Sequence, residues 1–162
     1  MSDTVYNVLF LCKTNAARSL MAEVMMNHWG HGQFQAFSAG SQPAAAPHPT
    51  ALAILKAEGF ATDHLRCKSW QEYIGADAPQ MDFIFTLCDE LEADACPAWP
   101  GEPVTGFWHF ANPVQAGADP AAEQAAFAQV QMHIANRIRL FLSLPAGTLD
   151  QMAHHPHLSA SA

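Results

Sequence analysis

The segment from Val5 to Trp29 constrains the fold of this chain more than any other. Val5 to Leu11 is apolar on both faces, which is typical of a buried central strand. From Arg18 to Trp29 the apolar residues recur at helical spacing and predict an amphipathic helix. A strand that passes through a short loop into a helix indicates an α/β fold with a parallel sheet. The crossover rule places this first strand centrally, with a ligand site at its carboxyl end.

The connecting loop has the sequence Cys-Lys-Thr-Asn-Ala-Ala-Arg-Ser, from Cys12 to Ser19. Backbone N–H groups at the start of a helix, together with the helix dipole, favour a bound anion and the thiolate form of a nearby cysteine. The Arg18 guanidinium can hold two oxygens of a tetrahedral oxyanion. We therefore predict that Cys12 is a nucleophile in an oxyanion-binding loop. The alternative is a structural cysteine that precedes an ordinary helix.

Further residues of the loop receive specific roles. Asn15 suits a left-handed backbone conformation, and Ser19 is expected to donate a hydrogen bond to the Cys12 sulfur. The predicted oxyanion-binding residues are Lys13, Thr14, Asn15, Ala16, Ala17 and Arg18.

The charge balance excludes several classes of partner. The formal net charge is −8, and only 7 residues are Lys or Arg. Nucleic acids and anionic membranes demand basic surfaces, so neither is expected as a partner. There is no apolar run of about 18 residues and no signal-peptide pattern at the start. We expect a cytoplasmic protein whose 4 cysteines stay reduced.

The remaining pattern alternates strands with helices in one domain, residues 1–145, followed by a flexible C-terminal tail, 146–162. We predict strands at 33–39, 82–87 and 103–108, helices at 50–58, 89–95 and 120–144, and a short helix from Ser69 to Tyr73.

Several motifs carry a resemblance to a known family. They are Cys12 to Ser19, Met21-Ala22-Glu23, Ser38-Ala39-Gly40, Lys68-Ser69-Trp70, Phe85-Thr86-Leu87-Cys88, Cys96-Pro97 and Pro113. Over about residues 5 to 145 the chain resembles the low-molecular-weight protein tyrosine phosphatases and, among them, the thioredoxin-coupled arsenate reductases. The resemblance implies a three-layer α/β sandwich around a four-stranded parallel sheet of order 2-1-3-4.

The resemblance also implies a cysteine relay. Cys12 would attack arsenate, Cys88 would attack the Cys12 sulfur and release arsenite, and Cys96 would take over the disulfide. An external reductant, thioredoxin or glutaredoxin with glutathione, would regenerate the thiols, and no bound cofactor is expected. An intact helix at 89–95 would hold Cys88 and Cys96 about 12 Å apart at about 1.5 Å per residue. Because a disulfide needs Cα atoms within about 7 Å, this helix must unwind. Alternatively, Cys88 is a core thiol and Cys96 an incidental loop residue.

Asn112 departs from the family pattern, in which an aspartate precedes the proline and acts as general acid. An amide cannot give up a proton at neutral pH, so Asn112 weakens or reroutes proton delivery. His109 and Asp89 are candidate substitutes.

The cation site of some related reductases is also altered. Asn15, Glu23 and Ser38 match residues that bind potassium there, but Lys68 falls where a further acidic ligand is expected. A lysine cannot ligate a cation, so no metal site is predicted.

Two further functions stay open. A tyrosine phosphatase would work through a Cys12 thiophosphate and carry an Asp-Pro-Tyr acid loop, to which Asp119-Pro120 is the nearest match. A non-catalytic oxyanion-binding or redox-sensing protein would bind the anion at the loop without turnover, as Asn112 allows. Phosphatase side activity is also compatible with the reductase.

Overall fold

The computed structural model describes residues 5–88, 99, 101, 103–114 and 119–154, apart from the side chains of 146, 153 and 154. Its strands are β1 (Tyr6–Cys12), β2 (Phe34–Gly40), β3 (Phe83–Thr86) and β4 (Val104–Phe107). Its helices are α1 (Arg18–Trp29), α2 (Pro49–Ala57), α3 (Pro120–Leu142) and α4 (Ala146–His154), with a 3-10 helix at Trp70–Tyr73.

The strands form one parallel sheet of order β2-β1-β3-β4, as predicted. The chain leaves β1 toward one side to form β2 and later returns on the other side to form β3. β1 is therefore the point at which the winding reverses, where open α/β sheets bind ligands. In the register, Cys12 is paired with Gly40, and Leu11 is paired with Thr86.

Apolar side chains cover both faces of the sheet. Val8 and Phe10 of β1 lie in a large core cluster with residues of α1 and α3, such as Met25 and Ile134. On the opposite face, a smaller buried cluster comprises Leu9, Leu11, Cys12, Ala39, Trp70, Met81, Ile84 and Cys88. Burial on both faces explains why β1 has no alternating polar pattern.

The predicted elements agree with the structure to within two residues at each end wherever they can be compared. α1 has the predicted bounds, and α3 ends at Leu142 rather than Leu144. The predicted helix at 89–95 lies outside the described residues. Within the described part of the chain, no helix is long and apolar enough to cross a membrane.

The prediction of a flexible tail from residue 146 is wrong for residues 146–154. These residues form α4, in which Leu149 is fully buried in the large core cluster. The Pro145 carbonyl accepts hydrogen bonds from the N–H groups of Thr148 (3.0 Å) and Leu149 (3.1 Å). The folded domain therefore extends past residue 145.

Candidate active site

The loop between β1 and α1 turns its carbonyl groups away from its centre. The carbonyl oxygens of Lys13, Thr14 and Ala16 accept hydrogen bonds of 2.9, 3.0 and 2.9 Å from N–H groups of the segment 42–48. In a trans peptide unit the C=O and N–H groups point in opposite directions. The N–H groups of residues 14, 15 and 17 therefore point toward the inner side of the loop, where an anion can accept them.

α1 adds further donors because its start has no side-chain cap. Ala17 at the N-cap position provides no side-chain acceptor, and the first turn contains no acidic residue. The first N–H groups of a helix lack intrahelical partners and carry the positive end of its dipole. The start of α1 is thus a ready site for an anion.

A pocket of about 310 Å³ lies over this loop. It is lined by Cys12, Lys13, Thr14, Ala16, Ala17, Arg18, His48, Asn112 and Val114. Of the predicted oxyanion-binding residues, all except Asn15 line this pocket. Two of the 7 positive side chains of the chain, Lys13 and Arg18, lie here, which favours an anionic ligand.

Arg18 connects the loop to the segment that follows β4. Its side chain is buried, and Nη1 donates a 2.9 Å hydrogen bond to the Phe110 carbonyl oxygen. This bond fixes the guanidinium in the pocket wall and brings the segment that contains Asn112 over the loop. A fixed guanidinium beside a thiol is suited to hold two oxygens of a tetrahedral anion.

Asn15 is fully buried behind the pocket and has the predicted left-handed conformation, with φ 53°. Its Nδ2 donates to Ser19 Oγ at 2.7 Å, and its Oδ1 accepts from the Lys68 N–H at 2.9 Å. A hydroxyl that accepts a hydrogen bond keeps its own proton to donate. The predicted donation from Ser19 to the Cys12 sulfur stays a prediction.

Asn112 lies at the exposed rim of the pocket. Its side-chain oxygen accepts a 3.0 Å hydrogen bond from the Val114 N–H, which stabilises the turn around Pro113. His109 is exposed and its ring stacks on Phe107 at 5.9 Å. His109 is not among the residues that line this pocket, and Asp89 lies outside the described residues.

Cys12 and Cys88 lie in the same buried cluster; Cys12 is the last residue of β1, and Cys88 follows the neighbouring strand β3 by two residues. Both are thiols, as is Cys67, which is partly exposed. Burial raises the pKa of the Cys67 thiol, and the neighbouring Lys68 ammonium opposes this increase. Cys96, the third member of the predicted relay, lies outside the described residues.

His48 is a pocket residue that the sequence analysis missed. Its backbone N–H holds the Ala16 carbonyl, and its Nδ1 accepts from the Thr50 N–H at 3.2 Å as the N-cap of α2. A neutral imidazole that accepts at Nδ1 carries its proton on Nε2 and is therefore a donor there. The available sequence signal was the cap pattern His48-Pro49-Thr50, which predicts a helix start but not its contact with a loop 30 residues away.

Lys68 occupies the position expected for the missing acidic cation ligand. Its ammonium lies 2.8 Å from the Arg66 carbonyl oxygen, 3.4 Å from Ser38 Oγ and 3.6 Å from a carboxylate oxygen of Glu23. Potassium does not fit this set of residues, because the ammonium already lies among the oxygens that would bind it. Elsewhere too, the described residues include no cluster of three His, Cys, Asp or Glu side chains that could hold a metal ion.

Known proteins are similar to this chain over most of its length. An arsenate reductase from Halalkalibacterium halodurans is 29% identical over 83% of this chain and 93% of that protein. A glutaredoxin arsenate reductase from Synechocystis is 26% identical over 65% of this chain and 77% of that protein. A solved thioredoxin-dependent arsenate reductase from Corynebacterium glutamicum is 26% identical with a TM-score of 0.62. That match covers 88% of this chain but only 62% of the Corynebacterium chain.

The model of one protein family matches residues 7–151, from β1 into α4. Its description is low molecular weight phosphotyrosine protein phosphatase. The match includes the cysteine loop, the pocket and the four described strands apart from Tyr6. The protein therefore belongs to the low molecular weight phosphotyrosine protein phosphatase family.

Proposed function

We propose that this protein is an arsenate reductase that works by thiolate attack from Cys12 and a disulfide relay through Cys88 and Cys96. The observation that carries the proposal is the shared buried cluster of Cys12 and Cys88 beneath an oxyanion-binding loop. A phosphatase needs the first cysteine alone, whereas a reductase needs a second thiol within reach of it. The similarity to named arsenate reductases supports the same activity.

In the first step, the Cys12 thiolate attacks arsenic(V) in an arsenate ion held by the loop N–H groups and Arg18. An oxygen of the arsenate leaves as water after it takes up protons, and a Cys12 sulfur–arsenic(V) bond forms. The donors are fixed before the ion arrives, so they stabilise the charge that develops without reorganisation.

In the second step, the Cys88 thiolate attacks the Cys12 sulfur. The sulfur–arsenic electron pair stays on arsenic, which leaves as arsenite, and a Cys12–Cys88 disulfide forms. Extending the register by one residue pairs Cys12 with Leu87, next to Cys88. If strand spacings of about 4.8 Å and about 3.3 Å per residue continued past Thr86, the Cα atoms of Cys12 and Cys88 would lie about 6 Å apart. This distance lies within the range that a disulfide spans.

In the third step, the Cys96 thiolate attacks Cys88, releases the Cys12 thiolate and leaves a Cys88–Cys96 disulfide. Two electrons from an external dithiol or from glutathione then return both sulfurs to thiols. The names of the Corynebacterium and Synechocystis relatives support thioredoxin or glutaredoxin as the donor.

Among the described residues, those that line the Cys12 pocket include no Asp or Glu that could serve as the phosphatase's general acid. Asp119 caps α3, and its carboxylate accepts a 2.7 Å hydrogen bond from the Ala122 N–H. Asp119 is not among the residues that line the Cys12 pocket.

The test is arsenate-dependent oxidation of NADPH by the full chain, coupled in one assay to thioredoxin with its reductase and in another to glutaredoxin with glutathione and its reductase. We expect turnover with at least one system. No turnover with either, and no Cys88–Cys96 disulfide by mass spectrometry after arsenate treatment, would falsify the proposal.

Cysteine variants separate the alternatives. Replacing Cys12, Cys88 or Cys96 with serine should abolish arsenate reduction, and Cys67→Ser is the matched control that should retain it. If the chain does not reduce arsenate and Cys88→Ser hydrolyses an aryl phosphate as fast as the wild type does, the protein is a phosphatase. Phosphate binding without either turnover identifies a binding protein.

Asn112→Asp tests proton delivery. A general acid contributes about 10²–10⁴-fold, so restoring a carboxyl at the pocket rim should raise the reduction rate by at least about tenfold. The measurement is kcat at neutral pH with saturating reductant. An unchanged rate would mean that another group donates the proton.

A further inference from the structure

A buried cage of oxygens surrounds the Lys68 ammonium. Its members are the Arg66 carbonyl, the Ser38 hydroxyl and the Glu23 carboxylate, at 2.8, 3.4 and 3.6 Å from Nζ. Lys68 is 6% exposed and Glu23 is 8% exposed. Carbonyl, hydroxyl and carboxylate oxygens are the ligands that hard metal cations take in proteins. Here a side chain supplies the positive charge.

Further hydrogen bonds connect the residues of the cage to one another and to the sheet. The Ser38 hydroxyl donates a 2.6 Å hydrogen bond to Glu23, so β2 and α1 are joined by the same carboxylate that pairs with Lys68. The Lys68 carbonyl accepts from the Gly40 N–H at 2.8 Å. A buried carboxylate without a positive partner would be costly, since its charge is removed from water.

The backbone of Lys68 supports the oxyanion loop directly. Its N–H donates to Asn15 Oδ1 at 2.9 Å, and Asn15 Nδ2 donates to Ser19 Oγ at 2.7 Å. Among the described residues, Asn15 is the one non-glycine residue with a positive φ. A left-handed conformation costs about 1 kcal/mol or more, so the surrounding hydrogen bonds must stabilise it. The Lys68 backbone thus contacts the residue whose left-handed conformation shapes the loop.

Burial lowers the pKa of Lys68, and the Glu23 carboxylate opposes this decrease. The ammonium form is therefore maintained by its oxygen partners rather than by water. If the amine were lost, the Glu23 and Ser38 oxygens would face an empty space of about the size of an ammonium ion.

We infer that Lys68 is a positioning residue that takes the place of a bound metal cation, and that its ammonium holds Asn15 and the oxyanion loop in the conformation that binds the anion. The inference rests on the proposed function only in that arsenate is taken as the natural ligand. It predicts an enzyme that needs no added potassium.

The experiment measures inorganic phosphate binding to the full reduced chain by calorimetry, at equal ionic strength in choline, potassium or ammonium chloride. The wild-type affinity should be the same in all three salts. Lys68→Ala opens the cage, so its affinity in choline should fall at least about tenfold, equivalent to about 1.4 kcal/mol. Potassium or ammonium should restore it to within about threefold.

Two variants are matched controls. Lys68→Met fills the cage with apolar atoms, so it should lose affinity as Lys68→Ala does but gain nothing from either cation. Lys56→Ala removes an exposed lysine of α2 and should behave as the wild type in every salt. A general effect of lost positive charge would appear in both lysine-to-alanine variants.

Potassium dependence of the wild type, or a Lys68→Ala loss that neither cation restores although circular dichroism shows a folded chain, would overturn the inference. The wild-type comparison holds even if Lys68→Ala does not fold. Phosphate binding requires no electron transfer. A protein that binds phosphate in the predicted salt pattern but does not reduce arsenate would therefore contradict the proposed function alone.

Discussion

A Cβ atom at Gly40 would meet backbone of the oxyanion loop. It would lie 2.5 Å from the Lys13 carbonyl oxygen and 2.8 Å from that of Cys12. Both neighbours are backbone atoms, so the steric clash could be removed only if the loop moved, and not by rotation of a side chain. The close approach follows from the register, in which Cys12 and Gly40 are paired across β1 and β2.

Gly40→Ala is accordingly expected to lower phosphate affinity at least about tenfold, with a stability cost of about 1–3 kcal/mol from overpacking. Calorimetry and urea unfolding measure the two effects. Gly75→Ala is the control, since nothing lies within 4 Å of its added Cβ. Equal phosphate affinity for Gly40→Ala and the wild type would mean that the loop tolerates displacement.

The residues of the site differ in how far the sequence reveals them. Cys12 and Arg18 are six positions apart in one strand–loop–helix unit, so local spacing alone predicts their roles. His48 and Lys68 approach the same loop from segments 30 to 50 residues away. Their contributions depend on sheet register and on packing, which a single sequence does not contain. The sequence places Lys68 in a family motif and at the position of a missing cation ligand, but it does not predict the contact of Lys68 with Asn15.

At the level of secondary structure, α2 braces the loop through its first residues. His48 caps the helix through Nδ1, holds the Ala16 carbonyl through its backbone N–H, and packs its ring on Phe127 of α3 at 4.6 Å. The start of α2 is thus fixed to both the loop and the core. His48 also lines the Cys12 pocket.

Two substitutions at His48 distinguish its role as the N-cap of α2 from anion binding by its imidazole ring. Asparagine is also a good N-cap residue, so His48→Asn should keep α2 stable, whereas His48→Ala should cost about 1 kcal/mol. If the ring N–H binds the anion, both variants should lose about fivefold in phosphate affinity, as expected for one hydrogen bond of about 1 kcal/mol. Affinity that falls only in His48→Ala would assign His48 a purely structural role.

Secondary structure was predictable where the pattern was strong and local. β1, α1 and α3 have continuous apolar or helical patterns, and their predicted bounds agree closely with the structure. α4 was missed because its sequence, Ala-Gly-Thr-Leu-Asp-Gln-Met-Ala-His, has only two large apolar residues. Burial of Leu149 against distant residues, rather than helix propensity, accounts for this helix.

For the whole molecule, α4 determines how far the folded domain extends. Leu149 lies in the same core cluster as Phe10 and Ile138, and the Tyr6 hydroxyl donates a hydrogen bond to the Asp150 carboxylate. The C-terminal helix is therefore packed on the first strand of the sheet. Burial and the Asp150 carboxylate raise the pKa of Tyr6 to about 12. The stability contributed by neutral Tyr6 is thus complete below its ordinary pKa and is lost as the pH rises through about 12.

Leu149→Ala should lower the free energy of unfolding by about 2–5 kcal/mol, because it removes a fully buried side chain and leaves a cavity. Leu140→Ala is the matched control, since Leu140 is 66% exposed and should change stability by no more than about 0.5 kcal/mol. Urea unfolding gives both values. Phosphate affinity should not change in either variant under conditions where the chain is folded, because neither residue lines the Cys12 pocket. If Leu149→Ala is as stable as Leu140→Ala, α4 does not pack on the core in solution, and the domain ends near residue 145 as the sequence predicted.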